Sequence, residues 1–400
     1  MAKTAGIRKA AREDEAELDP GQDPFSRESI ELLVRRYGSP LFVIDMARVR
    51  AQYRQLAAAL PGVDLHYALK PLPSAAVVKT LSEEGASFDV ATTGEVDLVQ
   101  RAGVAPERCI HTHPIKRECD IRNAIAYGIK VFVVDNPDEL RKFHKFRSEV
   151  SLLIRVAFRS PDAVCDLSRK FGCAPGAVPQ LLALAADLRL RVGGLSFHVG
   201  SQTQDPAMHV QAIEVCRELM GEAAAGGHDL ATLDIGGGFP VSYGAPLPSI
   251  EEYCAPIRRA LGSLAPAVRV IAEPGRFIAA PAAVAVSRVM GRALRDGRWW
   301  YYLDDGLYGS YSGQMYDHAN YPVEALAARG GSHLSVLAGP TCDSIDVIRE
   351  NVRLPLLDMG DIIVGRTMGA YTAATASDFN FFPRATLLAI DQGRVNPERP

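Results

Sequence analysis

Short apolar runs alternate with amphipathic stretches from about residue 26 to residue 275. Ser26-Arg27-Glu28-Ser29-Ile30-Glu31-Leu32-Leu33-Val34 opens a helix, with a capping serine and acidic residues in its first turns. Residues 41–44 then read as a buried strand and 46–60 as an amphipathic helix. Strand 66–69, helix 75–84, strand 88–91 and helix 93–102 repeat the unit, and further strands are expected at 109–111, 131–134, 152–156, 194–199, 233–235 and 268–272. Repeated β–α units of this kind imply a parallel sheet, either doubly wound or closed as a (β/α)8 barrel. From Ala283 the texture changes. Residues 283–289, 299–303, 334–337 and 361–364 look like strands with few helices between them, which predicts a β domain after the α/β part. The expected division is a mobile tail over 1–24, the α/β unit over 25–280 and a β domain over 281–400, with residues 25–38 packing on the last.

Chemistry gathers at the ends of these strands. Leu233-Asp234-Ile235-Gly236-Gly237-Gly238-Phe239-Pro240 runs a buried strand into a loop without side chains, where backbone N–H groups can converge on an anion. An isolated triple glycine is equally compatible with a surface turn. Lys70 follows strand 66–69, at the barrel face where active sites lie; desolvation there would make it a nucleophile, whereas a lone lysine is more often solvated. Glu273-Pro274-Gly275-Arg276 offers a carboxylate for a protonated ring nitrogen, with Arg276 and an amide for a phosphate. Ser196-Phe197-His198-Val199-Gly200-Ser201 places an imidazole and a hydroxyl at another strand end. Cys342, in Gly339-Pro340-Thr341-Cys342-Asp343, is an acid, a nucleophile or a small buried hydrophobe, depending on a thiol pKa that sequence does not give. His111 and His113 could lie on one strand face as metal ligands do, but no third ligand stands at a telling spacing, so they are read as structural and no metal is expected.

Composition narrows the classes. Four hundred residues with a formal charge of −3 suit two domains and carry no basic excess for nucleic acid or a membrane surface. No run is long enough to span a bilayer, and the charged start is no secretory signal. The seven cysteines (109, 119, 165, 173, 216, 254, 342) form no C-x-x-C pair, so a reducing cytoplasm fits best.

Together and in this order, the motifs resemble the fold-type III pyridoxal-phosphate decarboxylases, the ornithine and diaminopimelate decarboxylase family, from about Pro40 to the mid-380s. The resemblance implies a (β/α)8 barrel joined to a C-terminal β domain, pyridoxal phosphate as cofactor, and a homodimer with active sites at the subunit interface. It makes Lys70 the Schiff-base lysine, His198 the residue stacked on the pyridine ring and Glu273 the partner of its nitrogen. Ser201, Gly236, Gly237, Gly238, Gly275, Arg276 and Tyr371 match phosphate-binding positions, and Arg155 and Asp89 match positions beside the cofactor. Cys342 of the partner subunit would protonate the former Cα after CO2 leaves.

The substrate expected from this resemblance is a basic amino acid, ornithine first and lysine second. Asp317 and Asp343 match the carboxylates that hold the distal amine, with Tyr316 beside them. Diaminopimelate is disfavoured, because Asp343 stands where that branch has a glutamate. The chain departs from the family at Pro71-Leu72-Pro73, at Val364-Gly365-Arg366-Thr367 and at His111-Thr112-His113-Pro114-Ile115-Lys116, all expected near the pocket. A D-amino acid or a conjugated diamino acid is the alternative substrate. Two other classes are a silent homologue that binds a regulatory protein and a racemase. Lys70 and Cys342 speak against the first, and the lack of a tyrosine at 342 against the second.

Overall fold

The computed structural model describes residues 18–158, 169–327 and 329–398. Cys165 and residues 1–17 of the expected tail lie outside them. The tail expectation fails at its end: Leu18 is buried, and its N–H donates to the Gly393 carbonyl at 2.8 Å.

Eight parallel strands close into a barrel. They are β2 (Val63–Ala68), β3 (Ser87–Val90), β4 (Cys109–His111), β5 (Val131–Val134), β6 (Ser151–Val156), β7 (Val192–Phe197), β8 (Thr232–Asp234) and β9 (Arg269–Ala272). The strand alternation sorts side chains into two sets. Leu65, Tyr67 and Leu69 join the large apolar core outside the barrel, as do Leu152, Ile154 and Val156, Leu195, Phe197 and Val199, and Leu233 and Ile235. Their alternates (His66, Ala68, Lys70; Leu153, Arg155; Ser196, His198; Asp234) therefore face the barrel axis. Helices cover the outer set, and most are capped by a local side chain: Asp45, Ser74, Thr92, Asn136 and Ser249 each accept a first-turn N–H.

Among the described residues, nine strands form a second sheet. These are β1 (Leu41–Asp45), β10 (Ala283–Arg295), β11 (Arg298–Leu303), β12 (Val323–Ala325), β13 (His333–Ala338), β14 (Val347–Leu354), β15 (Ile362–Gly365), β16 (Thr386–Asp391) and β17 (Arg394–Glu398). The main path runs β14-β13-β11-β10-β1-β16-β17, with β15 joining β10 to β12. One expectation is corrected here. Residues 41–44 lie inside the span assigned to the α/β unit, yet β1 pairs antiparallel with β10 and parallel with β16. The barrel begins only at Val63. The helix Arg27–Tyr37 packs on this sheet through Ile30, Leu33 and Val34, against Val43, Val286 and Leu388. No helix among the described residues is long and apolar enough to cross a membrane.

Candidate active site

The axis-facing residues open at the C-terminal end of the barrel into a cavity of about 310 Å³. Lys70, Arg155, His198, Ser201, Gly237, Gly238, Glu273, Gly275, Arg276, Tyr316, Asp317 and Tyr371 all line it. Asp89 reaches it through Lys70, Nζ to Oδ2 at 3.7 Å. Strands β2, β3, β6, β7, β8 and β9 thus each deliver one part, and Tyr316, Asp317 and Tyr371 come from the later chain.

The anion cradle is built from glycines. A Cβ on Gly237 would lie 2.6 Å from the Glu273 carbonyl oxygen, one on Gly238 2.5 Å from that of Gly200, and one on Gly275 2.6 Å from Pro71 Cγ. Among the described residues, the N–H groups of Gly237, Gly238 and Gly275 donate to no protein acceptor. Ser201 Oγ accepts from Arg276 Nε at 3.2 Å and Nη2 at 2.9 Å. The Arg276 guanidinium also donates to Tyr243, lies 4.8 Å from the Tyr371 ring centre and is ion-paired with Asp317. Close backbone approach, free amides, a hydroxyl and a guanidinium suit a phosphate monoester. Gly236 differs from expectation: its N–H is taken by Asp234 Oδ1 at 2.9 Å, and its φ of 66° serves the turn.

Electrostatics suit a cationic ring nitrogen. Glu273 is pushed well above the usual carboxylate range by burial and by the facing carboxyl of Asp234. Burial and the neighbouring Glu273 raise Asp89 to about 7, against the pull of Lys70 and of the Thr112 hydroxyl, which bonds Asp89. Burial alone would lower Lys70, but Asp89, Tyr371 and Glu273 outweigh it and hold the amine as an ammonium. Burial, with Arg155 and Lys70 nearby, keeps His198 neutral, and its Nδ1 accepts from the Gly200 N–H at 3.0 Å. That bond fixes a flat, uncharged ring at the cavity wall.

Two residues stand apart. Cys342 is exposed and Asp343 half-buried, and both are absent from the cavity of their own chain. Cys342 bonds Asn380 at 3.1 Å, and Asp343 accepts from the Tyr308 hydroxyl, which lowers its pKa. The segment 364–367 also lies away: Arg366 bonds the Phe25 carbonyl and pairs with Glu324. The two histidines do not act as one feature. His111 is buried, with its ring stacked 5.6 Å from Phe132, while His113 lines the cavity edge-on to Phe171 at 5.4 Å. Thr112 and Asp234 have no role in the sequence reading, and His113 is there read as structural although it lines the cavity. The only signal for Thr112 and His113 was the unusual run 111–116.

A cradle that suits a phosphate, a lysine amine and a buried acid fit pyridoxal phosphate. The chain belongs to the family described as pyridoxal-dependent decarboxylase, whose pyridoxal-binding domain matches residues 46–280. It is an enzyme of the ornithine/lysine decarboxylase type. A lysine/ornithine decarboxylase of Selenomonas ruminantium is 34% identical over 370 residues, 92% of this chain and 94% of that protein. The lysine/ornithine decarboxylase of Vibrio vulnificus in complex with cadaverine superposes with a TM-score of 0.88 and 53% identity, over 92% of this chain and 98% of that one. The arginine decarboxylase of Paramecium bursaria Chlorella virus, bound to agmatine, gives 0.86 and 30% over 91% and 100%.

Proposed function

We propose that the protein decarboxylates ornithine, with lysine as second substrate, at a site completed by a second copy of the chain. The observation that carries the substrate reading is Asp317, a carboxylate lining the same cavity as Lys70. A diamino acid joined near Lys70 would have its distal ammonium met by a negative charge. The Vibrio vulnificus enzyme has been solved with both cadaverine and putrescine, which fits a cavity tolerant of one methylene.

Pyridoxal phosphate, when bound, supplies the electron sink for the pair left by the departing carboxylate. Ser201, the glycine amides and Arg276 hold the phosphate end, and His198 presents a flat face to the ring. Glu273 sets the charge at the ring nitrogen. Asp89, poised near neutrality, is the group placed to take a proton from Lys70 Nζ, which must lose its charge before it can act as a nucleophile. Arg155, half-buried beside Asp89 and Glu273, offsets negative charge on the two carboxyls.

The proton donor to Cα is Cys342 of the partner copy. Around it Ile345, Phe379 and Phe381 are exposed, an apolar rim that suits a subunit contact. Asp343 would enter the partner's cavity with it, adding a second carboxylate for the distal amine.

The test is CO2 release across ornithine, lysine, arginine, diaminopimelate and conjugated diamino acids, ranked by kcat/KM. Ornithine and lysine at the head support the proposal. Arginine at the head, or release from a conjugated substrate alone, overturns it.

A further inference from the structure

Asp234 is a buried carboxylate that the mechanism above does not use. It ends β8 facing the barrel axis and is fully buried, with no exposure at all. Its Oδ1 accepts the Gly236 N–H at 2.9 Å, while Oδ2 finds no donor among the described residues. What faces that side is the carboxyl of Glu273, carried just past the end of β9, the neighbouring strand in register with β8. The Glu273 N–H donates to the Gly236 carbonyl at 2.8 Å, so backbone bonds lock the two segments together.

Two carboxylates in contact inside a barrel cannot both ionise; one proton held between them removes the repulsion and gives the orphan oxygen its partner. We propose that Asp234 is a positioning residue for Glu273: it shares one proton with Glu273 and thereby fixes the orientation and charge of the acid that meets the cofactor's ring nitrogen. The inference rests on reading Glu273 as that nitrogen's partner.

The consequence is a direction. With a cationic ring nitrogen facing Glu273, the shared proton belongs on Asp234, which then donates to the Glu273 carboxylate. A carboxylate that accepts such a bond is a weaker base. It competes less for the proton on the ring nitrogen, and the ring stays cationic. Without Asp234 that donated bond is gone, and Glu273, still raised by its burial, becomes the stronger base of the two states and draws the ring proton to itself. Burial, with Asp89 behind it, pushes Asp234 up to about 6, against the pull of its bond with Glu273, of the Gly236 N–H and of Arg155, as a carboxyl bonded to a second carboxyl requires.

The test uses the full-length enzyme reconstituted with ring-15N pyridoxal phosphate, in the forms Asp234→Asn, Asp234→Leu and Glu273→Gln. The asparagine amide keeps an acceptor for Gly236 and a donor for Glu273; leucine keeps the volume alone. Asp234→Asn should retain the cationic nitrogen resonance and a cofactor Kd within about threefold of the parent. Asp234→Leu should shift the resonance toward neutral pyridine and raise Kd about tenfold or more. Should leucine fail to fold, Asp234→Ala takes its place. A resonance unchanged in Asp234→Leu overturns the inference, because loss of a purely structural bond to Gly236 would leave the ring proton where it was. Equal damage in asparagine and leucine overturns it as well. A parent-like resonance in Glu273→Gln overturns the reading of Glu273 itself, which separates the two failures.

Discussion

Lys70 and Asp89 meet at the open end of the barrel from neighbouring strands, Nζ to Oδ2 at 3.7 Å. The contact follows from register. Ala68 pairs with Asp89, so the lysine two residues on projects over the carboxylate from the same inward face. The pair is unusual in its charge state, because Asp89 titrates near 7 rather than in the ordinary carboxylate range.

That shift predicts a pH signature in the cofactor-free protein. Between the ordinary carboxylate range and about 7, folded Asp89 holds a proton that the unfolded chain has released. Its contribution to stability is present at low pH and is lost as pH rises through that window. The neutral buried histidines His66 and His209, both depressed to about 4, run the opposite way, so the parent's own curve mixes the two effects. The difference isolates Asp89. The Tm of Asp89→Asn minus that of the parent should rise from pH 5 to pH 7.5, as thermal unfolding at stepped pH would record. A flat or falling difference is the contrary result.

Gly237 gives a second prediction. A methyl there would meet the Glu273 carbonyl at 2.6 Å, and backbone cannot yield as a side chain can. Gly237→Ala should cost about 1–3 kcal/mol of folding stability by overpacking. It should also weaken pyridoxal phosphate binding by about tenfold or more, since an amide donor moves with the loop. Titration of the cofactor's visible absorption, beside unfolding with and without it, measures both.

Asp317 should separate substrate from cofactor. Its carboxylate is paired with Arg276, the cradle's guanidinium. Asp317→Ala should raise KM for ornithine by about tenfold to a hundredfold, the worth of a charged hydrogen bond. The released Arg276 should leave cofactor affinity equal or higher. A parallel loss of cofactor affinity would mean that Asp317 serves the cradle and not the substrate.

Much of the site was legible because its motifs are local. Gly236-Gly237-Gly238 and Glu273-Pro274-Gly275-Arg276 each join a strand to a turn within a few residues, and strand alternation then turns Lys70, Arg155 and His198 inward together. What stayed hidden depends on distant partners. The run 41–44 reads like any buried barrel strand, and only pairing with Thr386–Asp391, far along the chain, assigns it to the other sheet. β14 and β17 carry charged residues that blur their alternation, and β16 is a short apolar run ending at Asp391 with no alternation to mark it as a strand. Asp234 was visible within its motif, but its meaning depends on Glu273, which no spacing rule connects to it. Cys342 and Lys70 could be linked only by resemblance, because within one chain they do not share a cavity.

That separation makes the shared site open to a direct test. Lys70→Ala removes the nucleophile from one cavity and Cys342→Ala removes the thiol offered to another, so each variant alone should lose nearly all formation of the diamine product from ornithine. Mixed and allowed to exchange subunits, half of the dimers would carry one of each chain, and each of those would hold one intact site. Activity should recover to about a quarter of the parent's, the statistical yield for a site shared across a two-fold dimer. No recovery from a mixture whose hybrid dimers are verified by mass would contradict the claim that Lys70 of one copy and Cys342 of another form a single active site.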